Sequence, residues 1–460
     1  MESNPLILYP LNEEQNSGKE KIKKYLKKPR QKYDNLSKLL ILIGLLGILG
    51  SIGFMIFELT YINFQTRLSF LDSNNTNNLV VSWSSLSNYP KHNELVYYTN
   101  NSHYQSTIKA HTESYVSKGW LKRYIHRVNL MKLDYNTLYN YHIKMGIFRS
   151  RKFSFTIPEQ KKSDNHIIIY GDLGYQDSVG LTYIDKFRKT HNYDMIIHLG
   201  DLAYNLDDSA GILGDLFLSL IEKVAGNIPY LTLPGNHERK DNFSEYKNRF
   251  SMPDRIKSRN LFYTINRPYL KIINLDTEVF YFEGLEQVKI NQFDFLTQEL
   301  YNINRTEYPW VVLTGHRPMY CSNSDGNDCV YYQRDKVRLA WEKLLYDNQA
   351  TIFLTAHEHS YERMCPIYDG VCQKLKNNYS YSNLELYNPI HIVSGSAGCD
   401  EGFSKFLPNN SRTIIRNSLP GFGTLDTNES YLVWKQYSII NAQIQISDTM
   451  SIKNDKYREI

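Results

Sequence analysis

Seven residues of this 460-residue chain offer metal-type donors at one recurring kind of place. Asp172, Asp201, Tyr204, Asn236, His316, His357 and His359 present carboxylate, phenol, amide or imidazole groups, and no thiol is among them. Each follows a short apolar run. His166-Ile167-Ile168-Ile169-Tyr170 leads into Gly171-Asp172-Leu173-Gly174, and Ile196-Ile197-His198-Leu199 into Gly200-Asp201-Leu202-Ala203-Tyr204. Tyr230-Leu231-Thr232-Leu233-Pro234 precedes Gly235-Asn236-His237-Glu238, and Trp310-Val311-Val312-Leu313-Thr314 precedes Gly315-His316. Thr351-Ile352-Phe353-Leu354-Thr355-Ala356 ends in His357-Glu358-His359. Oxygen and imidazole donors in this number suit two hard or borderline metal ions that share one carboxylate. Asp201 is best placed to be shared, because the glycine turn leaves both its oxygens open. Singly, each residue is ordinary: Asp after Gly is usually a turn or helix cap, and a lone Tyr is usually packed. Five such endings in order are not ordinary.

Short apolar runs bounded by glycine predict buried strands, and open α/β sheets place ligands at the C-terminal ends of such strands. From Asn165 onward these runs alternate with helical stretches at Leu181–Thr190, Asp215–Val224 and Lys336–Tyr346, which is α/β order. After residues 388–398, strands return, including Tyr431–Trp434 and Ile439–Ile446, and are expected to close the same domain over 165–450. Residues 61–158 read as all-β, with strands at Leu79–Trp83, Glu94–Tyr98, Tyr124–Leu130, Leu138–Ile143 and Phe153–Ile157. Within them, Leu133-Asp134-Tyr135-Asn136-Thr137-Leu138-Tyr139 resembles the tyrosine corner of a fibronectin-III-like sandwich, with Tyr139 as the corner residue. That domain carries no chemical motif and reads as a structural or docking module.

The N-terminal end reads differently. Leu39 to Phe57 is apolar and uncharged over nineteen residues, close to a bilayer's hydrocarbon thickness. Residues 1–38 hold nine basic and five acidic side chains, so most of the formal net charge of +5 lies there. The positive-inside rule then predicts a cytosolic basic tail (1–38), a transmembrane signal-anchor (39–57) and a lumenal or extracellular remainder, a type II topology. The alternative is a signal peptide cleaved near Gly53 and a secreted protein. Sequons at Asn74, Asn100, Asn242, Asn304, Asn378, Asn409 and Asn428, all after the anchor, fit a lumenal, glycosylated face. The first residues, Glu2-Ser3-Asn4-Pro5-Leu6-Ile7, resemble an acidic-dileucine sorting signal as much as they resemble a plain tail. The rest of the chain is close to neutral and leaves no electrostatic footprint for nucleic acid. All five cysteines, Cys321, Cys329, Cys365, Cys372 and Cys399, follow the anchor. Two close pairs can each close a loop in an oxidising compartment, leaving Cys399 over.

The ordered motifs resemble those of the purple acid phosphatases, within the calcineurin-like metallophosphoesterases. Gly315-His316-Arg317-Pro318-Met319-Tyr320-Cys321-Ser322 and Ser360-Tyr361-Glu362-Arg363 are most similar to the animal and protist type-7-like branch. The β domain and Ser394-Gly395-Ser396-Ala397-Gly398-Cys399 extend the likeness over nearly all of the chain after the anchor. The resemblance implies a β-sandwich core flanked by helices, with a ferric ion on Asp172, Asp201, Tyr204 and His359. It implies a divalent ion (iron, zinc or manganese) on Asp201, Asn236, His316 and His357. Gly174 stands where generic relatives have histidine, and Tyr204 supplies a phenolate that favours ferric iron. Asn236 and His237 would bind substrate, with His237 placed to bind the phosphoryl group or protonate the leaving oxygen. The implied reaction is hydrolysis of small phosphate monoesters by metal-bound hydroxide in acid. A homodimer remains open. Plant members carry two histidines shortly after the His316 motif, where this chain has Ser322 to Asp328 in a stretch the resemblance reads as a Cys321–Cys329 loop, so substrate preference does not transfer. Rival readings are a phosphodiesterase or nucleotide pyrophosphatase at the same metals, an inactive surface or binding protein, and redox chemistry at an iron pair.

Overall fold

The computed structural model describes residues 42–48, 50–51, 64–87, 93–100, 104–146, 148–158, 164–324, 336–408 and 411–455. The chain divides into two units, Met1–Leu59 and Thr60–Ile460. In the first, residues 42–48 and 50–51 are helical and exposed. Among the described residues, no helix is long and apolar enough to cross a membrane. This corrects the anchor expected at 39–57, and with it the type II topology and the membrane as partner. Crossing the hydrocarbon core takes about 20 residues of continuous apolar helix, and the described helical pieces fall well short. The rest of that segment and the basic tail, with its sorting-like pattern, lie outside the described residues.

Among the described residues, the second unit begins with nine strands: β1 (Arg67–Phe70), β2 (Leu79–Ser85), β3 (Asn93–Thr99), β4 (Ser106–Lys109), β5 (His111–Ser117), β6 (Leu121–Leu130), β7 (Thr137–Met145), β8 (Phe148–Arg149) and β9 (Phe153–Ile157). They form two sheets, β1-β2-β6-β5 and β4-β3-β7-β8, the second with β9 also paired to β7. Alternate side chains of a strand share a face: Leu79, Val81 and Trp83, then Tyr139, Tyr141 and Ile143, then Phe153, Phe155 and Ile157 all join one core. The tyrosine corner is present, with the Tyr139 hydroxyl accepting from the Asp134 backbone N–H at 2.9 Å.

The α/β part contributes β10 (Asn165–Tyr170), β11 (Met195–His198), β12 (Tyr230–Thr232), β13 (Tyr263–Arg267), β14 (Leu270–Asn274), β15 (Trp310–Thr314), β16 (Ile352–Thr355), β17 (Tyr361–Tyr368), β18 (Val371–Cys372), β19 (Ser380–Ser382), β20 (Ile390–Ser394), β21 (Thr413–Asn417), β22 (Gly421–Thr427), β23 (Tyr431–Ile440) and β24 (Gln443–Lys453). One sheet runs β12-β11-β10-β22-β23-β24-β19, and the other β13-β14-β15-β16-β20-β17-β18 with β21 on β17. Strands β10 to β12 are mutually parallel, as are β14, β15, β16 and β20. Helices α1 (Val179–Thr190), α2 (Asp208–Ala225), α3 (Lys240–Arg249), α4 (Arg255–Ser258), α5 (Glu286–Tyr301) and α6 (Lys336–Asp347) accompany them.

The continuous apolar runs have a packing reason, since strands covered on both faces cannot alternate with polar residues. Ile272, Val312, Ile352 and Ile392 share one core with Ile167, Ile197 and Leu231 of the first sheet. Their neighbours Ile273, Val311, Phe353 and Val393 point the other way, against Leu296 and Leu300 of α5 and Val337, Trp341 and Leu345 of α6. The result is a sandwich of two sheets with helices outside. The strand expected over Ile439–Ile446 is instead the end of a hairpin. Asn441 and Ala442 stand at φ 49° and 60° between β23 and β24, the positive values a two-residue hairpin turn demands. Cys365 and Cys372 form a disulfide. Cys321 is also disulfide-bonded, Cys329 lies outside the described residues, and Cys399 is a buried free thiol.

Candidate metal centre

The five motif-bearing loops leave the C-terminal ends of β10, β11, β12, β15 and β16, and the parallel registers bring them to one edge of the sandwich. Four of the seven expected donors hold left-handed backbone: Asp172 at φ 55°, Asp201 at 50°, Tyr204 at 54° and His357 at 70°. Such conformations are costly for residues with a Cβ and concentrate where a side chain must be aimed. Gly235 permits a close approach between two of these loops. A Cβ there would lie 2.2 Å from Asp201 Oδ1 and 2.6 Å from its backbone nitrogen. The Ala356 methyl fits beside the site because residue 171 is glycine, where a Cβ would meet Ala356 Cβ at 2.2 Å.

The donors fall into two groups that meet at Asp201. In one, Asp201 Oδ2 is 3.1 Å from His316 Nε2, and Asn236 Oδ1 is 3.1 Å from the same nitrogen. The His316 and His357 rings stand 5.0 Å apart, and ligand atoms of Asp201, His316 and His357 all lie within 4.8 Å of one another. In the other, the Tyr204 hydroxyl is 2.7 Å from His359 Nε2, which is 3.8 Å from Asp172 Oδ1. His316 and His359 donate Nδ1–H to the Leu199 and Gly402 carbonyls at 2.8 and 2.9 Å. That fixes the tautomer and turns Nε2 of both rings into the site, the usual outer support of a metal-binding histidine.

A residue to which sequence reasoning gave no role holds the two central loops together. Glu238, fully buried, accepts from the backbone N–H groups of Asp201 and Gly235 through Oε2 and of Leu202 through Oε1, all at 2.9 Å. The signal was present, since a glutamate three residues after the residue that starts a short helix commonly reaches back to that residue's backbone. Burial, followed by the nearby Asp201 charge, pushes the Glu238 carboxyl up to about 8. Burial also drives Asp172 well above the carboxylate range, with Asp201 adding to it. For Asp201 burial pulls upward too, but the His316 charge and hydrogen bond outweigh it and hold the carboxylate below its ordinary value. His316 is the mirror image: burial lowers it, and Asp201 carries it up to about 10. Burial, then Asp172 and Asp201, raises the Tyr204 phenol far above normal. The edge is thus a buried group of carboxylates, a phenol and imidazoles whose protonation is strongly coupled.

His237 stands beside this cluster. Its ring packs on Tyr204 at 4.6 Å, Nδ1 is 3.0 Å from Asn205 Oδ1, and Nε2 is 3.7 Å from Glu401 Oε1 and 4.0 Å from Asp201 Oδ2. Arg317, also without a role in the sequence reading, donates to His357 Nε2 at 2.9 Å and pairs with Glu278 Oε1 at 2.9 Å. Glu278 is distant in sequence, so no spacing could have paired them. All eight expected site residues, His237 included, therefore lie along this one edge.

Comparison with known proteins gives this geometry its family. Residues 166–361 match the calcineurin-like phosphoesterase family, 64–157 the purple acid phosphatase N-terminal domain, and 388–448 the iron/zinc purple acid phosphatase-like protein C-terminal family. The zebrafish (Danio rerio) acid phosphatase type 7 is 33% identical over 405 residues, which cover 83% of this chain and 89% of that protein. The chain belongs to the purple acid phosphatase family. As a member, it is a phosphoesterase of a family built on a binuclear metal centre. The human (Homo sapiens) acid phosphatase type 7 is 39% identical over 306 residues, 64% of this chain and 68% of that protein. The purple acid phosphatase PPD1 of yellow lupin (Lupinus luteus) seeds superposes with a TM-score of 0.71, covering 86% of this chain and 75% of its own, at 22% identity, a likeness of fold.

Proposed function

We propose that this chain is a metal-dependent acid phosphatase that hydrolyses small phosphate monoesters at the Asp201-centred site. One observation carries the reading. Asp172 Oδ1 is buried 3.8 Å from His359 Nε2 with no hydrogen-bond partner, in a cluster whose remaining donors are hard oxygens and oriented imidazoles. A buried carboxylate oxygen without a partner is expensive unless a cation is meant to meet it. The donors present fit the family's metals. Asp172, Asp201, Tyr204 and His359 would hold a ferric ion, for which a phenolate is a suitable hard ligand. Asp201, Asn236, His316 and His357 would hold iron, zinc or manganese as a divalent ion. When bound, the pair supplies the Lewis acidity that neutralises a phosphate ester and activates water.

The chain's own residues do the rest. Asn236 and His237 meet the phosphoryl group. Donation of Nδ1–H to Asn205 leaves His237 Nε2 as the atom that binds this group or protonates the leaving oxygen. Glu238 and Gly235 keep the Asp201 and Asn236 loops in register. The intact donor set speaks against an inactive binding protein. Phosphate release by the full chain, loaded with metal, should be maximal in acid and fall to background in Asp201→Asn. Equal release by both proteins would sink the proposal.

A further inference from the structure

At the end of the sandwich away from the metal edge lies a cavity of about 60 Å³ that the reaction described so far does not use. One wall is built by Trp310, which starts β15, and Thr351, which precedes β16. His316 and His357 follow the opposite ends of these same two strands. The other sheet supplies Ile452 of β24, with Asn383 and Asn454 just past β19 and β24. The cavity therefore touches both sheets.

Arg305, also in the lining, gives the cavity its chemistry. Its Nη2 donates to the Gln349 carbonyl at 2.7 Å, while Nη1 is buried with no hydrogen-bond partner. Among the described residues no carboxylate pairs with Arg305, and burial lowers its guanidinium to about 10. Acceptors in the walls are already engaged. Thr351 Oγ1 accepts from the Val311 N–H at 3.1 Å, Asn454 Oδ1 from Asn383 Nδ2 at 2.9 Å, and Asn383 Oδ1 from the Asp455 N–H at 2.9 Å. A buried cation with a spare donor is costly unless an anion meets it. One guanidinium calls for one negative charge, and its planar fork matches a carboxylate. At about 10–15 Å³ for each non-hydrogen atom, the space holds about four or five of them. Trp310, Leu386 and Ile452 form an apolar wall that suits a short aliphatic tail.

We infer that this cavity is a binding site for a small monocarboxylate of acetate or propionate size, its oxygens on Arg305 Nη1 and its methyl or ethyl group against Trp310, Leu386 and Ile452. So bound, the ligand spans the start of one sheet and the edge of the other. It acts on stability and leaves the chemistry at Asp201 unchanged.

The test follows thermal unfolding and calorimetric binding of the metal-loaded full chain in sodium acetate, against sodium chloride at the same ionic strength. Arg305→Gln removes the cation, and Leu386→Phe narrows the cavity while keeping it. Acetate can also meet the metals, so the binding assigned here is the part that these variants lose. Neither residue lies at the metal edge. Saturating acetate should raise the parent's melting temperature by about 3 °C more than chloride does. Arg305→Gln should weaken the assigned binding by about tenfold or more, and Leu386→Phe should remove it, with phosphate release held within about twofold in both. Hexanoate, too long for the space, should give no such gain. Equal shifts with acetate and chloride, or acetate binding unchanged in both variants, would overturn the site and leave the phosphatase reading untouched. Should Arg305→Gln fail to fold, Leu386→Phe and hexanoate decide. Loss of acetate binding in the variant and no gain from hexanoate support the site, and parent-like binding in either case overturns it.

Discussion

Asp201 is the residue through which the site is joined, and its position depends on neighbours that are not donors. Glu238 binds three backbone N–H groups on two loops with one side chain. Glu238→Gln keeps the size but replaces one acceptor oxygen by a donor, so at least one buried N–H loses its partner, at a cost of about 1–3 kcal/mol. We predict a lower melting temperature and metal content reduced by about tenfold to a hundredfold in affinity; a variant that binds metal like the parent would remove Glu238 from the account. His237 is tested through the leaving group. If Nε2 protonates the departing oxygen, His237→Ala should slow alkyl phosphates by about 10²–10⁴-fold and 4-nitrophenyl phosphate far less, because that leaving group departs without a proton. Equal losses on both esters would assign His237 to phosphate binding alone.

At the scale of elements, the sheet β1-β2-β6-β5 stores a pH dependence away from the metal edge. His126 on β6 is fully buried, with Nε2 2.9 Å from the Ser85 hydroxyl and Nδ1 2.8 Å from the Thr112 hydroxyl. Burial first, and then the adjacent Arg127, lower it to about 4. The folded state therefore holds the ring neutral while the unfolded chain takes a proton near 6.5. The stability from this ring is complete above about 6.5 and is lost as the pH falls toward 4, by about 2 kcal/mol at pH 5. Urea unfolding of His126→Gln should show a shallower decline between pH 6.5 and 4 than the parent, and parallel curves would refute the assignment. The same elements show what sequence could and could not reveal. The five strand endings were legible because each apolar run stops at a small residue followed by a donor, and Tyr139 because its corner is a local pattern. The polar, exposed β4 and β5 gave no alternation to read. Helix α5 buries only Gln292, Leu296 and Leu300, too thin a stripe to announce itself. The β23–β24 turn was hidden because Asn-Ala lies between isoleucines and lacks the glycine that usually marks such turns. Its left-handed backbone only the fold reveals.

Across the whole second unit, the β domain is bound into the α/β part by buried charge. Arg123 of β6 grips Asp215 of α2 through Nε at 2.9 Å, and Arg249 of α3 holds the same carboxylate while pairing with Glu245 at 2.7 Å. Lys118, at the β5–β6 turn, reaches Asp207 at 3.1 Å, three residues beyond Tyr204. Since removing one member of a buried ion pair costs about 3–5 kcal/mol, Arg123→Met should be strongly destabilised. The parent should melt in one calorimetric transition, and two separate transitions would show that the β domain folds without its neighbour. The phosphatase proposed here requires that the Asp201 edge hold two metal ions, with Tyr204 on a ferric one. The deciding measurement is the visible absorption spectrum, with metal content, of the purified full chain and of Tyr204→Phe. Two metals per chain and a broad tyrosinate-to-ferric band that Tyr204→Phe abolishes are the expected result. A colourless, metal-free protein after full reconstitution, or a band untouched by Tyr204→Phe, would contradict it.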